Sequence, residues 1–232
     1  EVAKHTPELA QLIVGNGGVG ALVEYVSETE GNNRLPGIMA LGYIAAFSET
    51  LSLAVISSKG LPALQHALES EGEDHLKSAS VWSIGQIGRH SPEHDKAVAD
   101  IGVLSTFMSC QIAPSSSDDL KTKCKRALKA IIAKLTHMQA LNTLVQESAG
   151  VEHMGVLKVI LLQVSKVLPN DPNGRSTFVS SGALAKVLSL PVEEDDEAKE
   201  SINAISSSYP DEIVKYYSPG YSESLLKKLE VS

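Results

Sequence analysis

Apolar residues recur three and four positions apart along most of the chain, and short polar stretches interrupt them at regular intervals. One apolar stripe runs from Ile38 through Leu41 to Ala45, the spacing of one buried face of an α-helix. Similar stripes follow at Ala79–Ile84–Ile87, Cys124–Leu128–Ile131, Val156–Ile160–Val164 and Ile202–Ile205. The polar breaks between them fall at 27–33, 70–74, 114–119, 169–174 and 191–196. This pattern predicts an all-α chain with short surface loops.

A glycine followed by an apolar residue and a leucine recurs after these stripes. It occurs at Gly18, Gly60, Gly102 and Gly182, with weaker copies near Leu141 and at Gly220. The first two intervals are about 42 residues and the third is about 80, close to twice the same period, which is typical of armadillo or HEAT repeats. Three predicted helices in each unit favour armadillo repeats, because HEAT repeats have two helices.

The predicted fold is therefore an all-α, armadillo-repeat, right-handed superhelical solenoid of about five repeats, in which each repeat buries its apolar faces against its neighbours. We expect a single domain over residues 1–232. Its approximate repeats are 5–47, 48–90, 91–135, a degenerate copy at 136–168, and 169–208, followed by a C-terminal cap at 209–232.

Several repeats are expected to begin with the same helix-start signal. Thr6 is placed to be the N-cap, Pro7 the first helical residue, and Glu8 the acidic residue that the positive end of the helix dipole favours. Ser91 is expected to begin a helix in the same way, and Ser48 keeps part of the signal.

Composition and charge exclude several classes of protein. The chain has 232 residues, a formal net charge of -8, 43% apolar residues and 4% aromatic residues. Few aromatics and an acidic balance argue against nucleic-acid binding, which needs clustered cations or stacking platforms. Cys110 and Cys124 are too few for a disulfide framework, and Lys158 interrupts the longest apolar run, so no membrane partner is expected. We expect a soluble protein of a reducing, intracellular compartment.

Two segments resemble catalytic or cofactor motifs. Residues 15–20 satisfy G-x-G-x-x-G, but the preceding segment carries a helix cap where a dinucleotide-binding unit needs a strand. His90 and His94 fit H-x-x-E-H, but Pro92 lies between them and begins a helix, so the histidines are not expected to share one helical face. Cys124 falls on an apolar stripe and is interpreted as a core residue. We predict no enzyme activity, cofactor or metal.

The predicted third helices carry candidate partner-binding positions. In armadillo proteins such as importin-α and β-catenin, these helices line a groove in which an asparagine, with a tryptophan four residues before it, holds an extended peptide. Residues 82–87 resemble this pattern: Trp82 matches the tryptophan, but Gln86 stands in place of the asparagine. The other copies place Tyr43, Ala130, Gln163 and Ala204 there. This departure weighs against import-type peptide carriage, and Trp82 is expected either to contact a partner or to pack between repeats.

A basic segment and a tyrosine-rich end are the other candidate surfaces. The predicted helix 120–135 carries six cations, of which Lys123, Arg126 and Lys134 project toward the predicted groove. They form either a solvated face or a basic patch for an acidic partner segment such as a microtubule tail. The acidic run 193–197 is interpreted as a solvated helix start. The tyrosines near the end are expected to cap the last repeat or to form an interface; they are Tyr209, Tyr216, Tyr217 and Tyr221.

Four strings closely resemble the armadillo-repeat family of the central pair of motile cilia and flagella, in its C-terminal part. They are RLPGIMALGYIAAFSETL (34–51), VWSIGQIGRHSPEH (81–94), VSKVLP (164–169) and YPDEIVKYYSPGYSESLL (209–226). Residues 135–154 depart most from the family. The resemblance implies a non-catalytic scaffold of the axonemal central pair that is needed for central-apparatus integrity and motility. It also implies axonemal proteins and tubulin as partners, self-association, and a place in the cytoplasm, cytoskeleton and ciliary axoneme. The alternative is a soluble peptide-binding adaptor of importin or catenin type.

Overall fold

The computed structural model describes residues 2–148, 154–192 and 195–221. It divides into two compact units, Glu1–Leu135 and Thr136–Ser232, called here the first and second units. The described residues form α-helices, short 3-10 helices and turns, with no strand among them. The predicted all-α class is confirmed.

The first unit is built from three groups of three helices. The first two helices of a group are short, and the third runs along the third helix of the next group, so that α3 packs on α6 and α6 packs on α9. The groups are α1 (Pro7–Gly15), α2 (Gly18–Glu28) and α3 (Leu35–Phe47); α4 (Glu49–Ser57), α5 (Gly60–Ser70) and α6 (Asp74–Gly88); and α7 (Pro92–Asp100), α8 (Val103–Ile112) and α9 (Asp118–Ile132).

The second unit has the same kind of helix packing but a less regular order. Its described helices are α10 (Met138–Glu147), α11 (Met154–Val167), α12 (Pro172–Ser180), α13 (Ala183–Leu188), α14 (Asp196–Ser206) and α15 (Asp211–Tyr217). One described helix, α10, precedes the long helix α11, whereas two short helices precede each long helix of the first unit. Part of the predicted degenerate repeat (149–153), part of the acidic run (193 and 194) and the end of the predicted cap (222–232) lie outside the described residues. One continuous solenoid over 1–232 stays a prediction.

No single described helix is long and apolar enough to cross a bilayer. The pair α1 and α2, bent by 82° at their break, has that length and apolar character only when the two helices are taken together.

The helix starts follow the predicted side-chain caps in two of three cases. The Thr6 hydroxyl accepts a hydrogen bond from the Leu9 amide at 3.3 Å, and the Ser48 hydroxyl accepts one from Leu51 at 3.2 Å. The prediction for Ser91 is wrong in its detail. Its hydroxyl donates instead to the Glu93 carboxylate at 2.8 Å, so no side chain caps the backbone of α7 there.

The recurring glycines occupy two different positions of the turn between short helices. In two copies a glycine lies in the left-handed region, namely Gly102 (φ 75°) and Gly182 (φ 82°). In another copy this position is Lys59 (φ 64°). Gly60 lies one residue later and begins α5, where an added Cβ would lie 2.5 Å from a Val55 methyl group. The glycine pattern therefore combines two positions. One requires a positive φ, and the next lies so close to the preceding helix that a side chain would clash.

Buried polar contacts tie successive groups of the first unit together. The Ser83 hydroxyl donates to the Ile38 carbonyl at 2.9 Å, which links α6 to α3. Arg34, only 2% exposed, forms an ion pair with Glu71 at 3.0 Å and also donates to the Thr29 carbonyl. Because a buried charge is tolerated only when it is paired and hydrogen-bonded, these contacts fix the register between neighbouring groups.

Candidate functional site: a groove along the long helices of the first unit

The long helices α3, α6 and α9 enclose two adjoining cavities that we call the first groove. One cavity, of about 490 Å³, lies among all three helices, and the other, of about 260 Å³, lies between α6 and α9. Trp82 and Lys123 line both cavities. The larger cavity is also lined by Met39, Tyr43 and Asp119, and the smaller one by Gln86, Arg89, Arg126 and Ala130.

Trp82 is a structural residue of the first groove as well as part of its surface. Its ring meets Tyr43 edge-on with centroids 4.9 Å apart, and a Cβ added at Gly42 would lie 2.5 Å from the indole. The side chain is half-buried. Packing between repeats, one of the two alternatives for Trp82, is therefore observed, and contact with a partner stays a prediction. Its polarizable face is available as an apolar anchor.

Lys123 and Arg126 lie together on the α9 wall of the first groove. With Ala127 and Ala130 they occupy positions three, four and seven residues apart, which is one face of a helix. Lys123 is half-buried and Arg126 is exposed. Neither takes part in an ion pair among the residues that the structure describes. The two cations thus line the cavities outside any such ion pair, and the Asp119 carboxylate lines the larger cavity together with Lys123.

Gln86 and Arg89 form the opposite wall of the smaller cavity, on α6 and its C-terminal end. Gln86 is half-buried and lines the cavity at the position predicted for the asparagine of the peptide ladder. Arg89 donates a hydrogen bond to the Ala46 carbonyl at 2.8 Å, so its charge is held beside the groove. The walls therefore offer an amide and three guanidinium or ammonium groups around an indole.

Lys134 does not belong to the first groove, contrary to the prediction. Helix α9 ends at Ile132, so the helical angle assigned to residue 134 does not apply. Its ammonium group instead donates to the His90 carbonyl at 2.8 Å.

The two histidines of the H-x-x-E-H segment are engaged in packing contacts. The His90 Nε2 hydrogen-bonds the Ala45 carbonyl at 2.7 Å, and the His94 Nε2 hydrogen-bonds the Glu49 carbonyl at 3.2 Å. Burial lowers the pKa of His90. The described residues contain no group of three or more metal-ligating side chains arranged to hold an ion.

Asp95 is an ionisable group that sequence reasoning did not identify. It is fully buried on α7, and neither carboxylate oxygen has a hydrogen-bond partner among the described residues. Burial raises its pKa to about 8, while Lys134 acts to lower it and Glu93 to raise it. Alignment of the repeats contained the signal, because Asp95 stands where the earlier groups have the buried residues Ala10 and Ser52.

The tyrosines of the second unit divide into Tyr209, which is half-buried, and a cluster of three neighbouring rings in which Tyr216 is exposed and the other two are half-buried. Tyr209 donates to the Arg175 carbonyl at 3.1 Å, and burial raises its pKa to about 12. Tyr216, which is 61% exposed, lies with its ring centroid 4.9 Å from Tyr217 and 5.6 Å from Tyr221. A packing role is thus observed for Tyr209, and an interface role for the other three stays a prediction.

Comparison with known proteins adds relatives by sequence and by fold. No family model matches the chain. Sperm-associated antigen 6 of Mus musculus and of Homo sapiens are each 48% identical to it over 169 residues, which cover 73% of this chain. The chain spans about a third of the length of these curated relatives, since the match covers 32% of each.

Solved structures with a similar fold include designed and engineered proteins. A designed armadillo repeat protein in complex with the peptide (KR)4 has a TM-score of 0.60 and 18% identity, covering 90% of this chain and 89% of that one. Computationally designed armadillo repeat proteins for modular peptide recognition give a TM-score of 0.61, with 18% identity and the same coverage. An engineered protein has a TM-score of 0.64 and 19% identity, and the match covers 92% of this chain and 54% of that one. The chain therefore has the armadillo-repeat fold, and its resemblance to sperm-associated antigen 6 is confirmed over 169 residues.

Proposed function

We propose that this protein is a non-catalytic structural scaffold of the axonemal central pair in motile cilia and flagella. Its interactions with other central-pair proteins and with tubulin would maintain the central apparatus and support flagellar motility. The observation that carries this proposal is the 48% identity to sperm-associated antigen 6 over 169 residues. Its place is then the cytoskeleton of the cilium or flagellum, within the cytoplasm.

The first groove supplies the mechanism of this scaffold, because it can hold an extended acidic segment of a partner. Lys123 and Arg126 offer two cations that form no ion pair among the described residues, and Trp82 offers an apolar floor beside them. An Arg guanidinium can bind a carboxylate through two parallel hydrogen bonds, which adds geometric specificity. The designed armadillo protein in complex with (KR)4 binds a basic peptide. The cationic wall here favours the opposite charge, as found in an acidic microtubule tail.

A charge-reversal experiment tests the groove. The double variant Lys123→Glu/Arg126→Glu should weaken binding of an acidic tubulin-tail peptide at least about tenfold, because each exposed pair contributes up to about 1 kcal/mol and reversal adds repulsion. The matched control is Lys125→Glu/Lys129→Glu, which changes the same charge on exposed positions of α9 outside the groove lining. Equal losses in both variants, or affinity that does not change with salt, would remove the groove from the mechanism.

Extraction of ciliated cells separates the scaffold from the alternative, a soluble peptide-binding adaptor. A central-pair scaffold should remain with the axoneme through detergent and leave it only at high salt. A soluble adaptor should leave with the detergent fraction, and that result would contradict the proposed function. Sedimentation of the purified chain over a range of concentrations tests the self-association that the same proposal includes.

A further inference from the structure

The second unit contains a groove of its own between its two long helices. The cavity, of about 420 Å³, lies between α11 and α14, and we call it the second groove. Val159 and Leu162 provide apolar surface on the α11 side, and Leu162 is 46% exposed despite being a large aliphatic residue. An exposed leucine beside a cavity is the kind of surface on which the aliphatic part of a ligand side chain can pack.

The α14 wall of the second groove repeats the α9 wall of the first groove with the charge inverted. The α9 wall is made of Lys123, Arg126, Ala127 and Ala130. The α14 wall is made of Glu197, Glu200, Ser201 and Ala204, with the same spacing. Both walls therefore present two charged residues followed by two small ones on one helical face. The first pair is cationic and the second is anionic.

Lys158 is the one cation among the described residues that line the second groove, and it is already engaged. The Lys158 ammonium lies 2.5 Å from the Asp195 carboxylate and 3.7 Å from that of Glu197. Hydrogen bonding to Asp195 raises the pKa of Lys158, and the same bond lowers the pKa of Asp195, so the two groups form an ion pair. The Asp195 carboxylate also caps the N-terminus of α14, where it accepts a hydrogen bond from the Ala198 amide at 3.2 Å. Lys158 is therefore engaged by Asp195 and Glu197, and Glu200 takes part in no ion pair among the described residues.

We propose that the second groove binds a basic segment of a partner protein, in which a lysine or arginine lays its aliphatic stem on Val159 and Leu162 and places its cation beside Glu197 and Glu200. Charge complementarity with the two glutamates and an apolar floor for the aliphatic stem favour this occupant. Long basic side chains bury their methylene groups along apolar surface while the charged head stays at the polar edge. The two units of this protein thus select segments of opposite charge, and this inference does not depend on the axonemal role.

Fluorescence anisotropy with the full chain tests this proposal directly. The probe is a labelled octapeptide of alternating arginine and serine, and an octapeptide of alternating glutamate and serine serves as the charge control. Glu200→Lys should weaken binding of the basic probe about tenfold at low salt. The matched control Glu212→Lys makes the same charge change at an exposed position of α15 outside the groove lining, and it should change binding less than about twofold.

A second pair of variants tests the apolar floor. Leu162→Ser should weaken binding of the basic probe about threefold, since it removes methyl groups on which the arginine stem packs. Leu53→Ser, which alters a leucine that is 52% exposed in the first unit, should leave binding unchanged. Far-UV circular dichroism verifies that each variant remains helical.

The proposal fails if Glu200→Lys and Glu212→Lys weaken the basic probe equally, because binding would then follow net charge alone. It also fails if the basic probe does not bind wild type at low salt. The failure is distinguishable from failure of the first groove, since Lys123→Ala/Arg126→Ala should weaken binding of the acidic probe and leave that of the basic probe unchanged.

Discussion

The buried carboxyl of Asp95 makes the stability of the first unit depend on pH in an unusual direction. Burial raises its pKa from 3.8 to about 8, so between these values the folded protein holds a proton that the unfolded chain has released. The free energy of unfolding must therefore fall as the pH rises through this interval and level off above it. Asp95→Asn removes the titration while keeping the size of the side chain.

The magnitude follows from the size of the shift. Each pKa unit corresponds to about 1.36 kcal/mol. As the pH rises from about 5 to about 8, the free energy of unfolding can therefore fall by at most about 4 kcal/mol because of Asp95. Ionised Asp95 can turn toward the Lys134 ammonium, which now donates to the His90 carbonyl. This movement recovers part of the free energy that ionisation of the buried carboxyl costs. We therefore expect the free energy of unfolding of Asp95→Asn, measured relative to wild type, to increase by about 2 kcal/mol between about pH 5 and about pH 8.

Urea unfolding followed by far-UV circular dichroism between about pH 5 and about pH 9 measures this gain. The control is Asp100→Asn, which changes an exposed carboxylate of the same helix and should give a difference from wild type that is constant with pH. A constant difference for Asp95→Asn as well would refute the reasoning, because it would mean that Asp95 titrates alike in the folded and unfolded states.

Three further substitutions test the packing of the first unit by urea unfolding. Ser83→Ala should cost about 1 to 2 kcal/mol because it leaves the buried Ile38 carbonyl without its 2.9 Å donor, and a neutral result would contradict this. Arg34→Ala should cost about 3 kcal/mol, since Glu71 would stay buried without its cation, and Arg34→Ala/Glu71→Ala should recover part of the loss. Lys59→Gly should gain about 0.5 to 1 kcal/mol because residue 59 has φ 64°, and a loss would show that the lysine makes a stabilising contact.

The period of the apolar stripes was sufficient to predict the helices and the fold class. Stripes such as Ile38–Leu41–Ala45 depend only on local spacing and on burial of one face, so the sequence specifies them without knowledge of distant contacts. The glycine turns were harder to assign. Lys59 has the positive φ that the pattern assigns to glycine, because the requirement for close approach at Gly60 and the requirement for a left-handed residue fall on neighbouring positions.

The candidate site was predicted only where a helical angle sufficed. Lys123 and Arg126 lie on the groove wall as the spacing indicates, but Lys134 does not, since the helix ends before it and end positions are the least predictable part of a helix. The spacing of Glu197 and Glu200 and the alignment of Asp95 with buried positions are readable from the sequence, but the cavity beside the two glutamates depends on contacts between helices, as does the lack of a hydrogen-bond partner for Asp95 among the described residues.

The central claim, that the first groove holds an acidic segment of an axonemal partner, is tested most directly by site-specific photo-crosslinking in isolated axonemes. A benzophenone side chain would replace Gln86 inside the groove or, as the control, Leu53, an exposed residue of α4. We predict that position 86 crosslinks to an acidic segment of one axonemal protein, that Lys123→Glu/Arg126→Glu abolishes this product, and that position 53 does not form it. The same crosslinked products at both positions, or a product at position 86 that survives charge reversal, would contradict the claim.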